Sequence, residues 1–430
     1  MHIAVIGGGV SGLSVAYFLL KKGHKVSIFE RDETLGGLAA SFDFGEALIE
    51  KYYHFICLGD ADLIELCDEL GLGNELRWRS TKMSFLYEGK LYPFGTPLDL
   101  LFFKPVGMLG RIRFGLNVIH ARSLKYWQKL ESEPASAWLT RHIGKQAYDV
   151  IWKPLLQIKF GEYADEVAAS WMWHRIHRVA KSRKKILQRE MLGYLTGGTK
   201  SLVSALSQKI LDMGGEIQTS SPVASIAVKD GEAVGVEIDG EARDFDNVVS
   251  TLPLPLTCRM LPDECARYRA ELEKIEYIGV VCMILKLMRP LSDSFWMNIN
   301  DSRIPFNGII EYTNLNPRTD LGGAKIAYIP FYLRTSNERY SYSDEHILEE
   351  YLSSLKLVVP DFAQDWVLDW RVFRDPHAQA ICTTNFSRLV PDQKTPIKGL
   401  YLIDSTQLYP SDRTISGMIN LARRLAKHEL

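Results

Sequence analysis

The tightest constraint on this chain lies in its opening stretch. The apolar run Ile3-Ala4-Val5-Ile6 leads directly into Gly7-Gly8-Gly9-Val10-Ser11-Gly12. A strand that turns at once into a helix needs a residue free to take unusual backbone angles, and Gly7 supplies it. Gly9 lets the backbone approach a pyrophosphate, and Gly12 permits close packing of helix on strand. A helix from Val10 to about Lys22 then aims its unpaired N–H groups at phosphates. A second apolar strand, Lys25 to Phe29, ends on Glu30, eighteen residues after Gly12. There a carboxylate can accept both hydroxyls of an adenosine ribose. Two strands, a helix and an acid in this register predict a dinucleotide site.

Leu35-Gly36-Gly37-Leu38-Ala39-Ala40-Ser41 comes next. Any Gly-Gly pair can make a turn, but this one resembles the doublet that follows the nucleotide motif in glutathione-reductase-type FAD flavoproteins. The resemblance implies FAD as cofactor, with Arg31, Gly36, Gly37 and Leu38 beside it. Amine oxidases and protoporphyrinogen oxidases usually carry Arg after the doublet. Here it is Leu38, so that side chain's phosphate contact is not carried over.

Two later stretches resemble further parts of the same fold. Gly193 to Leu202 is a second glycine-rich, cofactor-like stretch ahead of a helix that ends at Gly214-Gly215. Three strands follow, at 216–219, 223–228 and 233–238, and then a returning strand, Asp246 to Pro253. The resemblance implies a backbone contact to adenine at Val223 and a cofactor contact at Thr251. Near the end, Lys398 to Asp404 is a strand reaching an acid, and Ser416-Gly417-Met418 opens a final helix. It implies that Asp404 touches the ribityl–phosphate region and that the helix N-terminus points at the flavin ring.

The chain thus resembles the amine oxidase, protoporphyrinogen oxidase and UDP-galactopyranose mutase superfamily. The expected fold is α/β and α+β. A Rossmann FAD-binding domain of glutathione-reductase type is assembled from 1–79, 193–255 and 393–430. A helical insertion spans 80–192, and a mixed-sheet substrate domain spans 256–392. A length of 430 residues with 46% hydrophobic content can bury such cores.

A net charge of −1 gives no global attraction to nucleic acid. Six scattered cysteines show no metal spacing and suggest reduced thiols in a cytoplasmic protein. No run approaches the ~18 apolar residues of a membrane span. Within the insertion, residues 100–130 carry six Lys or Arg and no Asp or Glu. On a helix, Leu109, Ile112, Leu116 and Ile119 share one face, with Arg111, Arg122, Lys125 and Lys129 opposite. Three readings stay open for this cluster: a solvated face, peripheral contact with the inner face of a membrane, or attraction of a phosphate-bearing or lipid-linked substrate. A second basic cluster spans Arg175 to Arg189.

Val150 to Gly161 resembles the segment leading toward the flavin in protoporphyrinogen-oxidase-like proteins. That makes Trp152, Lys153, Lys159 and Tyr163 site candidates, with Lys153 taken as catalytic. His54, in the aromatic run Tyr52-Tyr53-His54-Phe55, is positioned to bond the flavin or act as acid or base. Arg413, between Asp404 and the last helix, suits the flavin edge or a substrate phosphate. Lys286 is a further conceivable match to a water-holding lysine of amine oxidases. The expectation is an enzyme passing a hydride from a small organic substrate to noncovalent FAD, with no metal. The alternative is a redox-neutral mutase acting on a nucleotide- or lipid-linked sugar. The sequence sets no oligomeric state.

Overall fold

In the computed structural model, which describes residues 1–45, 47–124, 126–181 and 189–430, the opening motif folds as strand, turn and helix. His2–Ile6 is the middle strand of a five-stranded parallel sheet. It pairs with Lys25–Phe29 on one side and Asn247–Ser250 on the other. Glu216–Gln218 and Leu400–Leu402 form the two edges. Strands from the start, middle and end of the chain therefore lie side by side. The near-continuous apolar character of the central strands follows from burial on both faces.

The helix Val10–Lys21 packs against Ile415–His428 and Thr199–Asp212, so both ends of the chain share one core. Gly12 is fixed by this packing. A Cβ there would lie 1.9 Å from the carbonyl oxygen of Gly7.

A seven-stranded sheet builds the other half. Its long strands are Tyr277–Leu287 and, on either side of it and each antiparallel to it, Lys325–Leu333 and Val367–Ala380. At its far edge Met83–Tyr87 runs parallel to Trp296–Asn300 and turns through Glu88-Gly89 into Lys90–Pro93. This corrects the expectation that the insertion is helical from residue 80. Residues 83–93 are a hairpin of this seven-stranded sheet, and helices begin at Pro97–Leu101.

The helix Met108–Ser123 reverses the orientation that its pattern implies. Leu109, Ile112, Leu116 and Ile119 are all more than half exposed. The buried face instead carries Asn117 and Ala121. Two close fits explain this. A Cβ on Gly110 would lie 2.7 Å from a Val106 methyl and 3.5 Å from the Ala147 Cβ. Arg113 donates to the carbonyls of Arg141 and His142, at the C-terminus of Ala135–Ile143. A guanidinium there satisfies orphan carbonyls and complements the helix dipole. The helix ends at Ser123, so Lys129 lies beyond it and not on its polar face; Lys125 falls outside the described residues. Among the described residues, no helix is long and apolar enough to cross a membrane.

Candidate active site

The glycine turn and the seven-stranded sheet open onto one continuous cavity of about 1630 Å³. At one end, Gly7 has φ +104°, with the Thr251 hydroxyl 2.8 Å from where its Cβ would be. Gly9 caps the first helix without any side-chain hydrogen bond. Its would-be Cβ has only Gly36 and Gly37 nearby, both at 3.9 Å. The unsatisfied N–H groups of that helix end are thus open to an anion. The glycine doublet docks onto this turn, with Gly36 N–H bonded to the Gly8 carbonyl at 2.9 Å. Gly36 (φ +120°) and Gly37 (φ +58°) occupy backbone angles that other residues avoid.

Glu30 is buried at the cavity wall, accepting from Gly8 N–H at 2.7 Å and from Asp32 N–H at 3.0 Å. Val10, Ser11, Arg31 and Leu38 line the same end, as do Val223 and Thr251 from the middle segment. Asp404 reaches the wall from the last segment; burial raises its carboxyl, which accepts from Thr406 N–H and from the Tyr277 hydroxyl. Met418 lines the cavity as well. Gly12, Ser416 and Gly417 stand behind the wall: Ser416 accepts from Leu63 N–H, and Gly417 donates to the Thr414 cap.

The other end is aromatic and cationic. Tyr52, Tyr53, His54 and Phe55 face Trp296 and Tyr332. Burial pushes His54 down to about 4, with Arg413 adding to the effect, so the ring is neutral near pH 7. Arg413 donates to the Tyr332 hydroxyl at 3.3 Å, while its Nη1 is buried with no hydrogen-bond partner among the described residues. The neighbouring Asp412 pairs with Arg175 at 3.1 Å. Burial works to raise its carboxyl, yet Lys159, Arg175 and Arg413 together hold it below the usual range.

Of the two lysines expected near the flavin, Lys159 and not Lys153 lines this chamber. Lys153 lies outside the lining, with its side chain 45% exposed and Asp149 at 4.0 Å. Lys159 is 6% exposed, and its ammonium sits 4.8 Å from the Tyr332 ring centre and 5.2 Å from that of Trp171. Desolvation lowers it to about 7, and no carboxylate lies within ion-pair distance among the described residues. The rings favour the cation through their π faces but do not replace its water shell.

Trp152 also lines the cavity. Tyr163 lies outside the lining, beneath the Arg334 guanidinium. Lys286 lies outside too, donating to the Phe44 carbonyl. The second glycine-rich stretch grips a side chain instead of facing the cavity: Thr199 N–H donates to the Glu50 carboxylate, which also accepts from the Tyr312 hydroxyl. Of the second basic cluster, Arg175 and Arg178 pair with Asp412 and Asp60. Residues 182–188 lie outside the described residues. Sequence reasoning missed Arg175 and Asp412 as wall residues. The fixed position of the 404–414 loop against the Ala169–Lys181 helix is what places them.

A glycine turn, a buried acid beside it and a cavity leading to an aromatic chamber are what an enzyme that carries a dinucleotide cofactor needs. The chain belongs to the flavin containing amine oxidoreductase family, whose sequence pattern matches residues 10–411. It is an FAD-dependent oxidoreductase. The 15-cis-phytoene desaturase of Synechococcus elongatus is 21% identical over 455 residues, spanning 97% of this chain and 93% of that protein. The structure of reduced UDP-galactopyranose mutase superposes with a TM-score of 0.78 at 16% identity, covering 99% of this chain and 95% of that one. A protein of Exiguobacterium sp. 255-15, provisionally assigned as a protoporphyrinogen oxidase, gives 0.77 at 17% identity, covering 99% and 98%. At these identities the structural likenesses carry the fold and not the substrate.

Proposed function

We propose that the chain withdraws a hydride from a carbon of a small, largely apolar organic substrate, with FAD held noncovalently. The observation that carries this reading is the continuous cavity. Its volume of about 1630 Å³ exceeds the roughly 300–1,000 Å³ of a single small-molecule site and suits a cofactor with a substrate beside it. FAD, when bound, supplies the electron-pair acceptor. Gly7, Gly9, Val10 and Ser11 would hold its phosphates, Glu30 and Arg31 its adenosine side, and Val223 its adenine. Gly36, Gly37, Leu38, Thr251, Asp404 and Met418 would line its path. The cofactor unit is drawn from residues 1–79, 193–255 and 393–430, in the glutathione-reductase manner.

The chain's own residues divide the remaining work. Tyr53, Phe55, Trp296 and Tyr332 exclude water and orient the substrate. The neutral His54 ring accepts or donates a hydrogen bond. Arg413 holds an electron-rich edge through its unpartnered Nη1. Lys159 takes the catalytic role expected of Lys153 and handles a proton, because burial in the chamber lowers its ammonium to about 7.

One observation favours a second reading. Lys159, Arg175 and Arg413 gather around Asp412, three basic side chains to one acid at this part of the wall, as a mutase acting on a phosphate-bearing or lipid-linked sugar requires. Anaerobic mixing decides between them. Bleaching of the flavin by a candidate substrate supports hydride removal; turnover that needs prior reduction and consumes no electrons replaces it with the mutase reading.

A further inference from the structure

An amphipathic helix on a protein surface normally turns its apolar stripe inward. The two helices Pro97–Leu101 and Met108–Ser123 do the opposite. They pack against each other and raise a ridge topped by Leu101, Phe102, Leu109, Ile112, Leu116 and Ile119, each between 43% and 70% exposed. An outward apolar ridge of this size costs solvation unless something covers it. Two observations identify the cover. Lys104, Arg122 and Lys129 are exposed in the same stretch, which from 100 to 130 has not a single acid. Ile112, Leu116 and Ile119 also line the cavity, so its mouth opens within the ridge.

We propose that this ridge seats in an anionic bilayer leaflet and that the cavity opens directly into the acyl layer, so that the substrate arrives from the lipid phase. This rests on the reading of the cavity as the substrate chamber. Basic side chains of this stretch meet lipid phosphates, while the apolar crest reaches about 5–10 Å into the headgroup–acyl boundary. A substrate reaching the chamber between Ile112, Leu116 and Ile119 then passes from hydrocarbon to Phe114 and Trp152 without crossing water.

The test floats the FAD-loaded protein with vesicles of phosphatidylcholine and phosphatidylglycerol. The expected result is co-flotation that weakens with added salt and with pure phosphatidylcholine. Phe102 and Leu109 lie outside the cavity lining, so the pair Phe102→Glu and Leu109→Glu should keep circular dichroism and flavin content while partitioning about a hundredfold more weakly. Lys104→Glu with Arg122→Glu should abolish the preference for phosphatidylglycerol.

All native cysteines are buried, so Ile119→Cys can carry a polarity-sensitive dye. Its quenching by doxyl-labelled acyl chains is expected, with a dye at Leu211→Cys unquenched. A folded, flavin-loaded protein that fails to float overturns the proposal. So does flotation that ignores the Phe102/Leu109 pair, or flotation without quenching at residue 119. Gel filtration showing a dimer that the same pair dissociates assigns the ridge to a second copy instead. Flotation reads docking whatever the flavin oxidises, so its failure leaves the hydride reading standing, and absence of substrate-driven bleaching in a floating protein sinks that reading alone.

Discussion

Lys159→Met offers a direct test of the chamber's electrostatics. The wild-type ammonium is lowered from an ordinary 10.5 to about 7, first by desolvation. The unfolded chain therefore binds a proton that the folded chain does not hold between these values. Stability falls as pH drops from about 10 toward 7, and the cost levels off below the folded value. The full gap corresponds to about 5 kcal/mol, an upper limit because relaxation and water penetration relieve part of the cost of a buried cation. Methionine has a similar length, keeps the ring contacts and removes the charge. Arg175 and Arg413 remain to hold Asp412 ionised.

The variant should gain about 1–4 kcal/mol near neutral pH, the range seen when buried charges give way to apolar residues. Guanidinium titrations of the flavin-loaded protein, followed by tryptophan fluorescence at about pH 6, 7.5 and 9, measure the gain. The difference from wild type should shrink as pH rises. A variant that loses stability, or one whose gain is constant across pH, refutes the argument that Lys159 is a desolvated cation. Substrate-driven flavin reduction should fall sharply in the same protein. A stabilised variant with full activity would remove Lys159 from the chemistry.

Gly12→Ala places a methyl 1.9 Å from the Gly7 carbonyl, so the first helix must shift off its strand; purified protein should have lost most of its flavin absorbance. Glu30→Ala leaves Gly8 N–H without its partner and should weaken FAD retention in equilibrium dialysis by about tenfold or more, as loss of a charged hydrogen-bond partner of ~1.5–3 kcal/mol implies. Arg113→Leu strips the carbonyls of Arg141 and His142 of their donor, and a drop of about 1.5–3 kcal/mol in denaturant stability is expected with flavin content unchanged. For Glu311, burial raises the carboxyl to about 7, so the folded state holds a proton that the unfolded state releases above about 4.5. Stability should accordingly decline between about pH 4.5 and 7, and Glu311→Gln should flatten that decline in thermal melts.

The nucleotide cradle was legible because its demands are local. A positive φ at Gly7 and a forbidden Cβ at Gly12 act over a few bonds, so residue identity states them. The chamber was less legible, for three separate reasons. Lys153 and Lys159 occupy one short helix, and at about 100° per residue they point to different sides; only packing against the substrate sheet selects which is inside. The Thr196–Thr199 turn grips the Glu50 carboxyl much as such a turn would grip a phosphate, because both offer acidic oxygens to a backbone N–H. The ridge helix has an ordinary apolar stripe in sequence. Its outward orientation depends on Gly110 and Arg113, and the Ala147, Arg141 and His142 that these two meet lie more than twenty-five residues further along the chain.

The five-stranded sheet has a temporal consequence. Its edge strand Leu400–Leu402 and the helix Ile415–His428 complete a core begun by the first helix. A ribosome delivers residues 1–30 long before those partners exist, so the glycine turn emerges into solvent as an unsupported strand and helix. Closure is a high-contact-order event, slow by topology and dependent on almost the whole chain. FAD capture then becomes a checkpoint on completed synthesis: nascent chains released before about residue 400 carry the nucleotide motif intact and yet have no fold with which to use it.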